Sequence, residues 1–419
     1  MKITPILTAL VLLAGTTHAQ LRWYKGNTHT HTLWSDGDAA PEIAVQWYKD
    51  NDFDFLSLSE HNIFAAGHIQ RWYPITQDGL LTPERVDQLI EQYGQDHVQT
   101  KHEHGRHYMR LKTLPELQEQ FQDDTFLLIP GQEITSNYPP IHVNALNIRE
   151  LAPAVNFVDN QEGFVANIEF IKNQSQKYNI PTFAHFNHPN WRDGYTVEDV
   201  LPIDGPLHFE IFNGHPYVWN FGDPQKLKIS YDRFWDIQLA IRLKRNPKNI
   251  LYGIGVSDSH EYFKFGPKEA NPGRGFCMVR AEALTQEAIL NALIRGDYYA
   301  SSGVILNDIK HTLASYTIQI QEEPGATYTT QFIGTRKGFD DTATPYLDED
   351  GNPRTDVSQK YSNEIGIILH ETTQSPAIYN IQGDEMYIRA KIISTLPLDS
   401  PFQEGGIQTA WTQPILISP

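Results

Sequence analysis

The sequence of 419 residues predicts an α/β barrel with a polar site at one end, followed by a small all-β, sandwich-like domain. Three observations predict it. Apolar strand-like runs alternate with amphipathic helical stretches from Trp23 to Arg295, the pattern of a sheet wrapped by helices. Seven of those runs carry His, Asp or Glu in or just after the strand, and a barrel places its site at the C-terminal strand ends. Past Gly303 the helical period stops and short strands with polar loops take over, which puts a boundary near Leu306.

The first run, Leu21 to Lys25, leads into Asn27-Thr28-His29-Thr30-His31, with Ser35-Asp36-Gly37 as turn residues behind it. A period of two projects His29 and His31 from one face, a start for a metal site. Pro41 to Asp50 reads as a helix that opens on proline and gathers Ile43, Ala44, Trp47 and Tyr48 on one side. Phe53 to Ser59 is a strand ending in Glu60-His61-Asn62. Its leucines face the helices, so His61 faces inward as a ligand and Glu60 points away as a partner that holds one.

From His68 to Phe121 the alternation lapses. Pro83 to Tyr93 is helical, and Lys101 to His107 reads as a solvated loop over the site, with Arg106 and Arg110 as candidate contacts for an anionic substrate. Thr125 to Glu133 is an apolar run ending in a carboxylate, and the next strand, Ile141 to Ile148, opens with His142. A helix around Phe164 to Tyr178 precedes the strand Pro181 to His185, which offers both His185 and His188. Leu207 to Asn213 carries His208 and Glu210 on one face, and Leu251 to His260 ends with Asp258 and His260 two apart. Leu284 to Arg295 is the last helix, with Gly296 past its end. The strands that follow include Tyr316 to Gln321, Tyr328 to Gly334 and Met386 to Ile393, and His311 and His370 among them read as surface residues.

Composition narrows the function. A net charge of -18 argues against nucleic acid, since no basic surplus is left to neutralise phosphates. One cysteine, Cys277, excludes an internal disulfide and a thiolate-ligated cluster. Residues 1–19 have a basic start, a short apolar run and small residues at the end, the parts of a secretory signal peptide cleaved after Ala19. The expectation is a soluble exported protein, most simply periplasmic, without a membrane anchor. The barrel would then occupy 20–305 and the β domain 306–419.

The order His29-x-His31, Ser35-Asp36-Gly37, Glu60-His61-Asn62, Gly131-x-Glu133, His142, His188-Pro189 and Ser257-Asp258-Ser259-His260 resembles the PHP (polymerase and histidinol phosphatase) superfamily. The Arg295 to Ser301 segment and the trailing Ala410 to Pro414 resemble its exported CehA/McbA-like branch. The resemblance implies a distorted (β/α)7-type barrel holding two or three divalent metal ions, with Zn, Mn or Fe all suited to the donors. It implies His29, His31, Asp36, His61, Glu133, His142, His188, Asp258 and His260 as ligands, with Glu133 bridging. The usual Asp-His of the second motif is Glu60-His61 here, which leaves the role of Glu60 open. Pro189 favours His188 over His185.

The expected chemistry is metal-dependent hydrolysis of a small, anionic substrate, a phosphoester first of all. Arg192, Arg274, Arg106 and Lys264 are candidate phosphate contacts, and Glu210 and His215 candidate proton carriers. A carbamate, ester or amide is the alternative bond, favoured if Trp34, Trp72, Trp191 and Phe263 line the pocket. A non-catalytic metal- or ligand-binding protein is the alternative of another class.

Overall fold

The computed structural model describes residues 21–65, 69–192, 194–402 and 405–417, so the signal peptide expected over residues 1–19 lies outside the described residues. No helix among the described residues is long and apolar enough to cross a membrane.

The chain begins with β1 (Arg22–Asn27), α1 (Pro41–Asp50) and β2 (Phe55–Leu58). A side layer follows: β3 (Trp72–Ile75), α2 (Pro83–Tyr93), β4 (Thr100–Glu103), β5 (Arg106–Arg110) and α3 (Leu114–Phe121). Next come β6 (Leu127–Thr135), β7 (His142–Leu146), α4 (Asn160–Tyr178), β8 (Phe183–Phe186), α5 (Val197–Val200) and β9 (Leu207–Asn213). Then α6 (Tyr231–Arg245), β10 (Leu251–Val256), β11 (Phe276–Ala281), α7 (Gln286–Arg295) and β12 (Tyr298–Ser301) complete the α/β part. The remainder is β13 (Leu306–His311), β14 (Ser315–Ile320), β15 (Tyr328–Arg336), β16 (Ile367–Thr372), β17 (Ala377–Asn380), β18 (Glu385–Pro397), β19 (Ile407–Thr412) and β20 (Ile415–Leu416).

One large mixed sheet runs β10-β9-β8-β7-β6-β2-β1-β11-β12-β19-β18-β15-β16. β1, β2 and β6 are parallel, as are β8, β9 and β10. β7 runs against both neighbours, and β11 runs against β1. The expected (β/α)7-type barrel is therefore not what the chain forms. β6 turns straight into β7 without a crossover helix, and β11 occupies the edge of β1 that a closing strand would need. No ladder joins β10 to β1 among the described residues. Their extensions touch at the isolated bridge Thr30–Ser259, where the His31 N–H reaches Ser259 O at 2.9 Å and the Asp258 N–H reaches His29 O at 3.0 Å.

Lys101 to His107 is a β4–β5 hairpin in a three-stranded sheet with β3, not a loop. Its outward face is polar, with Lys101 4.7 Å from the Trp72 ring, and only Met109 of β5 is fully apolar and buried. A strand with so little buried surface carries almost no hydrophobic period.

The strands after Leu306 continue the main sheet, because β19 pairs with β12 and β18 with β19. β13, β14 and β17 form a separate three-stranded layer over them. A single core cluster unites Leu56 and Leu114 with Tyr299, Tyr316, Phe332 and Ile392. Between α6 and β18 lies a buried ion pair, with Arg389 Nη2 2.6 Å and Nε 2.8 Å from the two oxygens of Asp236. Gly366 (φ +69°) lets its turn lie on this pair, since a Cβ there would come within 2.6 Å of Asp236.

Candidate metal centre

Glu133, near the end of β6, is the hub of the polar end of the sheet. Its Oε2 lies 2.9 Å from His61 Nδ1, 3.2 Å from His31 Nε2 and 3.4 Å from His29 Nε2. Its Oε1 lies 2.7 Å from His142 Nδ1 and 3.6 Å from His188 Nε2, and accepts a bond from Asn187 Nδ2 at 2.8 Å. Asp258 Oδ1 faces the same imidazoles, 3.1 Å from His29 Nε2 and 3.3 Å from His31 Nε2. Asp36 faces His31, His61 and His260, each at 3.5 Å. The structure thus brings together all nine residues that the family resemblance implied as ligands.

The topology explains how. His29, His31, His61, Asp258 and His260 follow the ends of parallel strands. His142 opens β7, yet β7 is antiparallel and Thr135 pairs with His142, so its first residue meets the same edge. His188 (φ +25°) and Asp258 (φ +49°) hold backbone conformations that L-residues rarely adopt, a cost that clusters at functional sites.

His29 Nε2, His31 Nε2 and Glu133 Oε2 are buried without a hydrogen-bond partner, and they face one another. Among the described residues they form one of three groups whose donor atoms lie within 4.8 Å of each other; the others are His61–Glu133–His142 and His31–Asp36–His61–His260. Leaving three such atoms unpaired is costly. Two imidazole nitrogens and a carboxylate oxygen converging in this way suit a divalent transition ion. The clusters are compatible with metal binding.

Burial pulls the His31 imidazole down, but the Asp258 and Glu133 carboxylates, 3.3 and 3.2 Å from Nε2, outweigh it and raise it to about 10. His29 is likewise raised, against burial, by Asp258, Glu133 and Glu210. Burial pushes Glu133 and Asp258 up, yet the surrounding imidazoles hold both well below the carboxylate range. For His142 burial wins over Glu133, and the ring falls to about 4.

A cavity of about 180 Å³ opens onto the cluster, walled by seven of the nine together with Trp191, His215 and Glu261, while His29 and His31 are buried and outside its lining. His215 is pulled down to about 3 by burial and is neutral, its Nδ1 accepting the Tyr217 N–H at 3.2 Å. Glu210 does not reach this cavity. Its oxygens hold His29 Nδ1 at 2.7 Å, the His188 N–H at 2.7 Å and Asn213 Nδ2 at 2.8 Å, so it orients ligands and is not a proton carrier at the reacting atoms. His185 sits behind the cavity, its Nε2 3.1 Å from Thr28 Oγ1.

Arg274 is not a substrate contact either. It is buried, and its guanidinium is taken up by the carbonyls of Gly214 (3.2 Å), Gly266 (2.6 Å), Glu269 (2.5 Å) and Ser400 (2.5 Å). Arg110 is bound to Glu116 at 2.5 Å, Lys264 pairs with Glu269, and Arg106 lies on the exposed hairpin. Arg192 remains beside the site, exposed and stacked 4.4 Å from the Trp191 ring. Of the four aromatics proposed for the pocket, Trp191 alone lines this cavity; Trp34 is a core residue, its Nε1 donating to Lys112 O at 2.8 Å.

Glu261, Asn187 and Asn213 were not singled out in the sequence, and Ser35 was read there only as a turn and motif residue. Glu261 follows His260 and by strand alternation would face away, but β10 has already ended at Val256. The asparagines give no signal, because their role exists only once other strands lie beside them.

No family model and no curated protein sequence matches the chain. Among solved structures, the chain is similar to a two-domain protein containing a predicted PHP-like metal-dependent phosphoesterase from Bacteroides vulgatus ATCC 8482. The identity is 17%, the match covers 94% of this chain and 96% of that one, and the TM-score is 0.39.

Proposed function

We propose that the protein is a metal-dependent hydrolase of the PHP type, acting on a phosphoester of a small molecule. The observation that supports it is the Glu133 hub: three buried, unpartnered donor atoms next to a cavity that is open to a substrate. Two or three divalent ions held there would acidify a water and stabilise the attacking and leaving oxygens of a displacement. Glu133 would join the His29–His31 and His61–His142 groups, and Glu210 would fix the His29 ring. His215, neutral and in the cavity wall with Nδ1 accepting from Tyr217, is placed to donate a hydrogen bond from Nε2 to a substrate oxygen. Arg192 would meet the anionic end of the substrate over Trp191. The signal-peptide pattern of residues 1–19 supports export as part of the proposal.

A carbonyl substrate, such as a carbamate or ester, has one observation in its favour. Among the described residues the cavity wall holds Trp191 but no Lys or Arg.

The test is metal analysis of the mature protein, followed by turnover of a phosphomonoester, a phosphodiester and an aryl carbamate. Two or three metals with metal-dependent phosphoester turnover is the expected result. Preference for the carbamate would move the bond to the second reading, and bound metal without turnover of any of them would favour a binding protein. Arg192→Ala should raise KM for the phosphoester several-fold and leave an uncharged ester unchanged; equal effects on both would remove Arg192 from substrate contact.

Metal binding should also release protons. His29 and His31 are raised in the metal-free protein, so at neutral pH they must lose a proton before coordinating. In that metal-free state the His31 contribution to stability is complete below its unfolded value of about 6.5 and is lost as pH rises through about 10. Zinc titrated calorimetrically at pH 7 should therefore show an enthalpy that changes with the ionisation enthalpy of the buffer, and affinity should rise with pH. A buffer-independent enthalpy would contradict this.

A further inference from the structure

We infer that Glu60 is a positioning residue that sets, through the hydroxyl of Ser35, which ring nitrogen His31 turns toward the metal. The inference rests on the metal-centre reading above and concerns one of its positions. Glu60 is fully buried. Three donors converge on its carboxylate: the Thr32 N–H at 3.1 Å, the Thr32 hydroxyl at 2.6 Å and the Ser35 hydroxyl at 2.5 Å. Thr32 Oγ1 in turn accepts the Trp34 N–H at 3.2 Å, which aims its single proton at Glu60.

The proton count of the relay decides the tautomer. An ionised carboxylate only accepts, and a serine hydroxyl has one proton to give. Once Ser35 gives it to Glu60, its oxygen can only accept from its other neighbour, His31 Nδ1, at 3.2 Å. When His31 gives up a proton to bind metal, it therefore keeps the one on Nδ1 and presents the Nε2 lone pair to the space it shares with Glu133 Oε2 and Asp258 Oδ1. That Nε2 is one of the buried atoms with no hydrogen-bond partner. His29 gets the same orientation from Glu210 directly, and His31 gets it through one hydroxyl.

The relay also carries Asp36. The Ser35 and Gly37 N–H groups both bond to Thr32 O at 3.0 Å, so the turn that holds Asp36 is pinned to the residue that Glu60 grips. Glu60 therefore acts on the group His29–His31–Glu133 through the His31 ring and on Asp36 through the turn, while His61–Glu133–His142 contains neither His31 nor Asp36. This gives the unusual Glu60-His61 pair its purpose: the longer acid reaches back to the preceding strand end.

The experiment uses the full mature chain and zinc as the probe, reading zinc affinity at each position and the ring ¹⁵N shifts of His31. Zinc-loaded wild type should show the proton on Nδ1 of His31. Ser35→Ala and Glu60→Gln should each weaken the zinc that His31 helps to hold by about 10–100-fold, the scale of losing an outer partner of a ligand, and leave zinc at His61–Glu133–His142 unchanged. Ser35→Thr, which keeps the hydroxyl, should restore it. Glu60 is buried and its variant can fail to fold; Ser35 is only half-buried, so Ser35→Ala keeps the inference testable. Wild-type zinc affinity at every position in Ser35→Ala, or a proton on His31 Nε2 in the wild type, would overturn the relay and leave the metal centre standing. A wild type that binds no zinc would overturn both, and that outcome is seen in the wild-type sample itself.

Discussion

Glu133→Gln should empty the site of metal. The substitution keeps the shape of the side chain and removes the one charge that five imidazoles share: His29, His31, His61, His142 and His188 all lie within 3.6 Å of its oxygens. The groups His29–His31–Glu133 and His61–Glu133–His142 both contain Glu133, so neither can hold an ion as before. Turnover of whichever substrate the wild type prefers should fall by at least about 10²–10³-fold, the scale of losing one preorganised electrostatic contact at a reacting centre. Stability gives a second readout. Metal at a hundred-fold excess over its dissociation constant stabilises a folded protein by about 2.7 kcal/mol, and the rise in Tm with added metal should vanish in the variant. A variant that keeps wild-type metal content would show that the hub is a structural ion-pair cluster.

Arg389→Met should cost the fold about 3–5 kcal/mol, the usual penalty for stranding a buried charge. Arg389 is fully buried, and its guanidinium holds both oxygens of Asp236 on α6 and lies 3.0 Å from Asp232. Tyr387 also donates to Asp236 Oδ1 at 2.9 Å. Without the cation Asp236 stays buried and keeps only neutral donors. Adding Asp236→Leu to Arg389→Met should recover part of the loss, because removing both charges takes away the desolvation cost along with the attraction. Urea unfolding of the two single variants and the double variant measures this. A single variant within about 1 kcal/mol of wild type would mean that water reaches the pair.

The residues that gather at the candidate centre were legible because strand period and strand ends are local properties. His29 with His31, and Asp258 with His260, needed only a two-residue repeat and the end of an apolar run. The same repeat misled where depth mattered. His208 and Glu210 share a face of β9, yet His208 lies further back and bonds to Tyr298 at 2.9 Å, while Glu210 reaches His29. Charge misled as well. Arg274 looked available to an anion, but burial and four carbonyls had already taken it, and no local pattern distinguishes a free guanidinium from one that pins three loops together.

The identity of the inward-facing donors, the alternation of strands and helices, and the shift to short strands after Gly303 follow from residue order alone, because each depends on neighbours a few positions apart. The reversed strand β7, the open sheet, the pairing of β19 with β12 and the role of Glu60 do not. Each depends on which distant strand lies alongside, and that choice is made by burial. β11 takes the edge of β1, α6 meets Arg389 of β18, and the Thr32 turn comes to rest on the Glu60 carboxylate. Long-range contacts of this kind decide which polar group is freed for chemistry and which is used to hold the chain together.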